Sequence, residues 1–159
     1  MGAQSGAKEE GLLFERIVVG TDGSDTAAEA VRQATELARA TGAKLDIVSA
    51  YHPVPPDRLR EESGEIPGDV AYAVGPKEDV NVILEAAAKP AQEAGMEVLT
   101  HAREGDPSDA ILDVAEEVTA DVIVVGNKGM TGARRFLLGS VPNKISHHAP
   151  CSVYIARTT

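Results

Sequence analysis

The amino-acid sequence predicts an α/β protein with a doubly wound parallel sheet, and three observations support this class. Short apolar runs alternate with amphipathic helical segments along the chain. The runs are continuous rather than alternating, which is typical of strands buried on both faces of a parallel sheet. Glycine, aspartate or serine follows several runs, where turns are expected. The 159 residues suit one domain, so we expect residues 13–159 to form it and residues 1–12 to be a flexible arm.

The first half of the chain predicts two strands and a helix. The run IVV at residues 17–19 ends in the turn residues GTDGS, which predicts a buried strand. The segment DTAAEAVRQATELARATG has apolar residues at helical spacing, with Gly42 as its stop and Ser24 or Asp25 as its cap. AKLDIVSAYH predicts the second strand. The proline-, glycine- and charge-rich residues 53–76 predict a long connection.

The second half continues the alternation. Residues 77–94 predict a helix that Pro90 should kink, and MEVLTHAREG predicts the third strand. A helix is predicted through DAILDVAEEVTA, with Asp106 as its cap and Pro107 as its first residue. DVIVVG predicts the fourth strand, residues 140–148 a helix, and CSVYIAR the fifth strand. Right-handed crossovers should bring the loops that follow the strands to one edge of the sheet.

Charge and composition exclude several classes of function. The net charge of −10 disfavours nucleic acid as a partner. No apolar run is long enough to cross a membrane, and the start MGAQSGAKEEG lacks the apolar centre of a signal peptide. The single cysteine, Cys151, cannot form an intrachain disulfide and is expected to be a small, buried residue. These observations predict a cytoplasmic protein that binds neither membranes nor nucleic acid.

The most informative motif is VVGNKGMTGARRFLLGS, residues 124–140. Gly126 ends a strand, Gly129 follows three residues later, and Gly139 with Ser140 precedes a helix. Glycines at the strand exit are expected to turn with positive φ and to let the main chain approach a ligand, while the free amides of the helix start attract an anion. The motif therefore predicts a phosphate site. The lysine-containing GxxxxGK loop and the GxGxxG fingerprint are both absent from the first turn, GTDGSD.

Catalytic and metal sites are not predicted. Phosphoryl transfer needs a positioned base and usually a carboxylate-held magnesium ion, and Asp22 is the one carboxylate placed near the glycine motif with confidence. The adjacent His147 and His148 point about 100° apart on a helix and cannot share one metal from the same face. His52 and His101 are isolated in the sequence and receive no role.

Taken together, VVGTDGS, VVGNKGMTGARRFLLGSV and the final strand after HHAPCSVYIA resemble the universal stress protein family, in its nucleotide-binding branch. The resemblance covers residues 14–157. It implies a Rossmann-like, adenine nucleotide alpha hydrolase-like fold with five parallel strands in the order 3-2-1-4-5 and helices on both faces. It also implies an ATP site, with or without Mg²⁺, and a homodimer formed through the last strands.

The resemblance also implies the binding residues. Thr21 and Asp22 would face the base and ribose, and the second strand exit would contact adenine through Val48, Ser49 and Ala50. Ribose and phosphates would be held by Gly126, Asn127, Gly129, Gly139, Ser140 and Val141. Lys128, Arg134 and Arg135 are assigned to solvent. Pro142 removes one amide donor, and cyclic AMP, which some members of the family favour, is therefore kept as an alternative to ATP.

The function implied is an adenine-nucleotide binding module that acts in stress response or signalling without efficient catalysis. A weak ATPase or phosphotransferase is the alternative from another class. A nucleotide-free interaction module is disfavoured, because such members of the family generally lack the glycine set.

Overall fold

The computed structural model describes residues 13–52, 76–127 and 138–158. Five strands and four helices alternate within them: β1 (Arg16–Gly20), α1 (Asp25–Thr41), β2 (Lys44–Tyr51), α2 (Pro76–Glu93), β3 (Val98–Glu104), α3 (Pro107–Glu117), β4 (Val122–Gly126), α4 (Ser140–His148) and β5 (Ser152–Ala156). All neighbouring strands are parallel, in the order β3-β2-β1-β4-β5. The fold class and strand order are confirmed. The expected arm at residues 1–12 and the connection at residues 53–75 lie outside the described residues.

Local sequence signals set the ends of the helices. The Ser24 hydroxyl accepts from the Ala27 amide at 3.2 Å and caps α1, which ends at Gly42 with a left-handed φ of 76°. Asp106 caps α3 by accepting from the Asp109 amide at 3.1 Å. Helix α2 continues through Pro90, so this proline removes one hydrogen-bond donor without ending the helix.

Two apolar cores lie on the two faces of the sheet, and β1 is buried between them. Helices α1 and α2 cover one face, where Val19, Ile47 and Val124 pack against them. Helices α3 and α4 cover the other face, where Val18, Ile123 and Ile145 are buried. Ile17, Val18 and Val19 have no exposed surface. This two-sided burial explains why β1 and β4 are continuous apolar runs.

One buried charge interrupts the core. Asp46 in β2 has no exposed surface. Its carboxylate accepts from Arg16 Nε and from an Arg16 terminal nitrogen, both at 3.0 Å, and lies 2.8 Å from His101 Nε2. Because an ionised carboxylate only accepts, Nε2 carries the proton. Burial would raise the pKa of Asp46, but the hydrogen bonds from His101 and Arg16 outweigh it and hold that pKa below its ordinary value.

The pKa of Asp46 predicts a pH-dependent contribution to stability. Because the folded-state pKa is lowered, this contribution is present above the unfolded-state value of about 4 and is lost as pH falls through the folded-state value. At pH 7, Asp46→Asn should lower the free energy of unfolding by about 3 kcal/mol, since it leaves Arg16 without its carboxylate. Urea unfolding at pH 7 and pH 3 should show the difference shrink at the lower pH.

The control for this experiment is Asp113→Asn, because Asp113 is exposed on α3. It should change stability by less than about 0.5 kcal/mol. A deficit in Asp46→Asn that is equal at both pH values would show that ionisation of Asp46 does not stabilise the fold.

Candidate functional site

The candidate site lies at the carboxyl edge of the sheet, where the strand order reverses. The chain leaves β1 for β2 on one side of it and later enters β4 on its other side. The loops after β1 and β4 therefore lead to opposite faces and leave a crevice between them, which is where open α/β sheets bind ligands. The residues at this crevice are 21–24 after β1, Gly126 and Asn127 at the end of β4, and the start of α4.

The loop after β1 is fixed by short hydrogen bonds. The Thr21 amide donates to the Val48 carbonyl at 2.9 Å, and the Ser49 hydroxyl donates to the Thr21 carbonyl at 2.7 Å. One carboxylate oxygen of Asp22 accepts from the Ser24 amide at 2.9 Å and from the Ser24 hydroxyl. Asp22 is exposed, so its second oxygen is available for a ligand. The contacts implied for Thr21 and Asp22 remain predictions.

The three residues expected at the exit of the second strand lie inside that strand, because β2 continues to Tyr51. Val48 and Ser49 are buried, and Ala50 is partly exposed. The Val48 carbonyl and the Ser49 hydroxyl already bond to Thr21. Their implied contact with adenine therefore also remains a prediction, and the structure gives both residues a second role in holding the β1 loop.

Gly126, at the end of β4, does not have the torsion angle expected of it. Among the described glycines, positive φ occurs at Gly23, Gly42, Gly95 and Gly105, and Gly139 has φ −61° and ψ 165°. The expectation of positive φ at the strand exit is therefore wrong for Gly126. The remaining advantage of glycine here is the missing side chain, which leaves the main chain open to close approach. Gly129, Lys128, Arg134 and Arg135 lie outside the described residues.

Asn127 joins three parts of the site. Its amide donates to the Ala156 carbonyl at 3.0 Å, and its carbonyl accepts from the Gly139 amide at 3.0 Å. Its side-chain oxygen accepts from both the amide and the hydroxyl of Thr158, each at 2.9 Å. Asn127 thus ties the end of β4, the start of α4 and the residues after β5 together. Sequence reasoning gave Asn127 only a ligand contact and missed Thr158, whose distance along the chain gives no local signal.

The start of α4 offers main-chain donors at the crevice. Gly139 is the N-cap and contributes no side-chain hydrogen bond. Its amide is engaged by Asn127, and Pro142 has no amide proton. Ser140 and Val141 therefore offer the two main-chain donors of the first turn, and the exposed Ser140 adds a hydroxyl. The helix dipole strengthens the attraction of these groups for an anion.

An ion pair fixes the position of α4 relative to α3. Lys144 Nζ lies 2.9 Å from Asp109 Oδ1 and 3.6 Å from Asp106 Oδ1. The hydrogen bond from the Asp109 amide lowers the pKa of Asp106, so this carboxylate stays charged. Asp106 therefore serves as a helix cap and an anchor for Lys144.

Other chemistry-bearing residues do not form a site in the part of the chain that is described. Residues 13–52, 76–127 and 138–158 contain no cluster of three potential metal ligands. Every helix in these ranges is too short or too polar to span a bilayer. Cys151 is partly exposed, and burial raises the pKa of its thiol. His101, which received no role from the sequence, bonds to the buried Asp46.

The fold defines a doubly wound α/β protein in which α4 begins beside the crevice at the topological switch point of the sheet. A family model described as the universal stress protein family matches residues 13–157. The chain belongs to the universal stress protein family.

Two named relatives are similar to this chain over most of its length. Universal stress protein Rv1636 of Mycobacterium tuberculosis is 40% identical over 147 residues, which cover 92% of this chain and 98% of the relative. Universal stress protein MJ0531 of Methanocaldococcus jannaschii is 34% identical, over 91% of this chain and 83% of the relative.

Solved structures are similar over nearly the whole chain. A universal stress protein in complex with cAMP is 33% identical, covers 92% of this chain and 98% of its own, and superposes with a TM-score of 0.68. The universal stress protein of Archaeoglobus fulgidus in complex with dAMP is 25% identical, with 91% and 98% covered and a TM-score of 0.61.

Removing the Asn127 side chain tests the link between the three segments. Asn127→Ala deletes the acceptor of two hydrogen bonds, so the free energy of unfolding should fall by about 1–2 kcal/mol and the Thr158 amide should exchange faster with solvent. Denaturant unfolding and amide hydrogen exchange would measure these effects. Asn143→Ala, at an exposed position of α4, is the control and should leave Thr158 exchange unchanged. Unaltered Thr158 exchange in Asn127→Ala would contradict the link.

Proposed function

We propose that this protein binds an adenine nucleotide in the crevice between the β1 loop and α4, and acts in stress response or signalling through its occupancy. One observation carries the proposal: α4 begins beside the end of β4 at the carboxyl edge of the sheet, and its first turn offers two main-chain amides and one hydroxyl, from Ser140 and Val141. A phosphate group is the ligand that such a helix start accepts best. The likeness to proteins solved with cAMP and dAMP supports adenine as the base.

In this proposal the ligand lies across the crevice. Thr21 and Asp22 face the base and ribose, and Ala50, the more accessible of the three implied β2 residues, contacts the base. Gly126 and Gly139 allow the ribose and phosphates to approach the main chain. The Ser140 and Val141 amides bind the phosphate that lies nearest to α4.

ATP, with or without Mg²⁺, is the ligand implied by the glycine set, and cyclic AMP is the second candidate. Two observations favour the second candidate: the similar structure with bound cAMP, and the few amides left at α4 once Asn127 engages Gly139 and Pro142 lacks a proton. A competition experiment with ATP, ADP, cyclic AMP and GTP distinguishes them. Adenine specificity requires GTP to compete weakly in either case.

We also propose that the bound nucleotide is sensed rather than turned over. The side-chain oxygen of Asp22 that bonds to Ser24 is committed to the β1 loop, and Asp106 is committed to capping α3 and to Lys144. Weak ATP hydrolysis or phosphotransfer is the alternative.

We also propose the domain boundaries, the cellular compartment and the oligomeric state. Residues 13–159 form one domain, which the family match over residues 13–157 supports. The protein works in the cytoplasm, where its lone thiol stays reduced, and it forms a homodimer through β5. Tyr154 and Ile155 of this edge strand are 44% and 37% exposed, and an exposed apolar edge is usually covered.

Two substitutions at Ser140 distinguish what its amide contributes to nucleotide binding from what its hydroxyl contributes. Ser140→Pro removes both the amide proton and the hydroxyl. Proline is compatible with the first helical position, and the extended conformation of Gly139 tolerates a following proline. Because hydrogen bonds to charged groups are worth about 1.5–3 kcal/mol, Ser140→Pro should weaken binding of the preferred nucleotide by about 10- to 100-fold. Ser140→Ala should have a smaller effect. Isothermal titration calorimetry measures both affinities.

Ser146→Ala is the control, because Ser146 lies further along α4 and bonds to the Asn143 carbonyl. It should bind as the wild type does. Unchanged affinity in Ser140→Pro, with the fold intact by circular dichroism, would place the phosphate elsewhere.

A charge at the β5 edge should separate the dimer. Ile155→Lys buries an ammonium group in the proposed interface, so light scattering at micromolar concentration should change from a dimer mass to a monomer mass. Leu99→Lys is the matched control, because Leu99 is 46% exposed on the opposite edge strand, β3. A wild-type monomer, or dissociation by Leu99→Lys alone, would contradict the proposed interface.

A further inference from the structure

The hydrogen-bond ladder between β1 and β2 stops halfway through a step. The last residue pair between the two strands is Gly20 with Val48, although β2 continues to Tyr51. The Thr21 amide still donates to the Val48 carbonyl at 2.9 Å. In a regular parallel ladder, the Thr21 carbonyl would next accept from the Ala50 amide.

A side chain takes the place of that next ladder bond. The Ser49 hydroxyl donates to the Thr21 carbonyl at 2.7 Å, and Ser49 is only 3% exposed, so water competes little for this bond. Within the part of the chain that the structure describes, no carbonyl of β1 or of the loop after it accepts from the Ala50 amide. Ser49 thus satisfies the Thr21 carbonyl and leaves a main-chain donor outside the ladder.

The alternation of main-chain groups along β2 sets the direction of this donor. Lys44 donates toward β1, to the Glu15 carbonyl, whereas Leu45 donates toward β3. The even-numbered residues of β2 therefore direct their amides toward β1. Because β1 ends at Gly20, the Ala50 amide faces the space beyond that end, at the carboxyl edge of the sheet where the candidate site lies.

The same bond also orients Asp22. The Thr21 carbonyl and the Asp22 amide belong to one planar peptide group, so a fixed carbonyl fixes the direction in which the loop continues. The Thr21 hydroxyl accepts from the Gly23 amide at 3.1 Å and supports the next turn of the loop. One buried hydroxyl, from Ser49, therefore acts on both an amide of β2 and a carboxylate of the β1 loop.

We propose that Ser49 is a positioning residue for nucleoside recognition: its hydroxyl occupies the Thr21 carbonyl and so keeps the Ala50 amide free to donate to the base. This inference rests on the proposed function and deepens it. Ring nitrogens of adenine accept such a hydrogen bond, and the contact requires no side chain beyond the methyl group of Ala50. Ser49 contributes through Ala50 and Asp22 rather than through a contact of its own.

Amide hydrogen exchange of the ligand-free protein tests the arrangement. The Ala50 amide should exchange freely in the wild type. In Ser49→Ala the Thr21 carbonyl loses its donor, so the Ala50 amide should complete the ladder and exchange about tenfold more slowly, as expected for one added hydrogen bond. A general loosening of the fold would have the opposite effect. A protected Ala50 amide in the wild type, or equally fast exchange in Ser49→Ala, would overturn the assignment.

Calorimetric titration with ATP and cyclic AMP tests the role in recognition. Ser49→Ala should bind the preferred nucleotide about 2- to 10-fold more weakly, because the base loses one neutral hydrogen bond. Ser49→Thr keeps the hydroxyl and should restore both the affinity and the fast Ala50 exchange. Ser108→Ala is the matched control, because Ser108 is also 3% exposed but lies in α3, and it should bind as the wild type does.

The outcomes separate this inference from the proposed function. Wild-type affinity in Ser49→Ala, or an equal loss in Ser108→Ala, would refute the positioning role while nucleotide binding by the wild type left the proposed function standing. A wild type that binds neither ATP nor cyclic AMP would refute the proposed function itself, and the role in recognition with it.

Discussion

The parallel pairing of β1 with β2 on one side and β4 on the other is the constraint on which the rest depends. It buries Ile17, Val18 and Val19 completely and forces the two halves of the chain to opposite faces of the sheet. The loops after β1 and β4 then diverge, so a crevice exists whatever residues line it. The residues of the loops decide which groups the crevice offers, and at α4 these are two main-chain amides and the Ser140 hydroxyl.

Local signals were sufficient to predict the elements. Ser24, Gly42 and Asp106 specify their helix ends through contacts within four residues, and two-sided burial leaves a continuous apolar run in each central strand. The strand order followed from the family resemblance. The backbone torsion angles of the glycines could not be predicted from the sequence, because glycine permits positive φ but does not require it. Gly126, at the end of β4, does not take positive φ, so the glycine motif did not give the geometry of the strand exit.

Contacts between distant segments could not be predicted. Asp46 bonds to Arg16 and His101, which are 30 and 55 residues away, and each of the three looks isolated in the sequence. A charged residue inside the apolar run KLDIVS was the available signal, since a buried carboxylate needs partners, but its partners could be identified only from the register of three strands. The Asn127–Thr158 contact is hidden in the same way by its separation of 31 residues.

The Asn127 contacts link the proposed dimer interface at β5 to the proposed phosphate site at the start of α4. Thr158 follows β5, the strand proposed to pair with a second copy, and it bonds to the residue whose carbonyl fixes Gly139 at the start of α4. A partner strand that orders β5 therefore also restricts Thr158, and through Asn127 it restricts the two amides proposed to bind phosphate. Coupling between two binding events is reciprocal. Under these two proposals, a nucleotide that orders the start of α4 would stabilise the proposed dimer by the same factor by which dimerisation would tighten nucleotide binding.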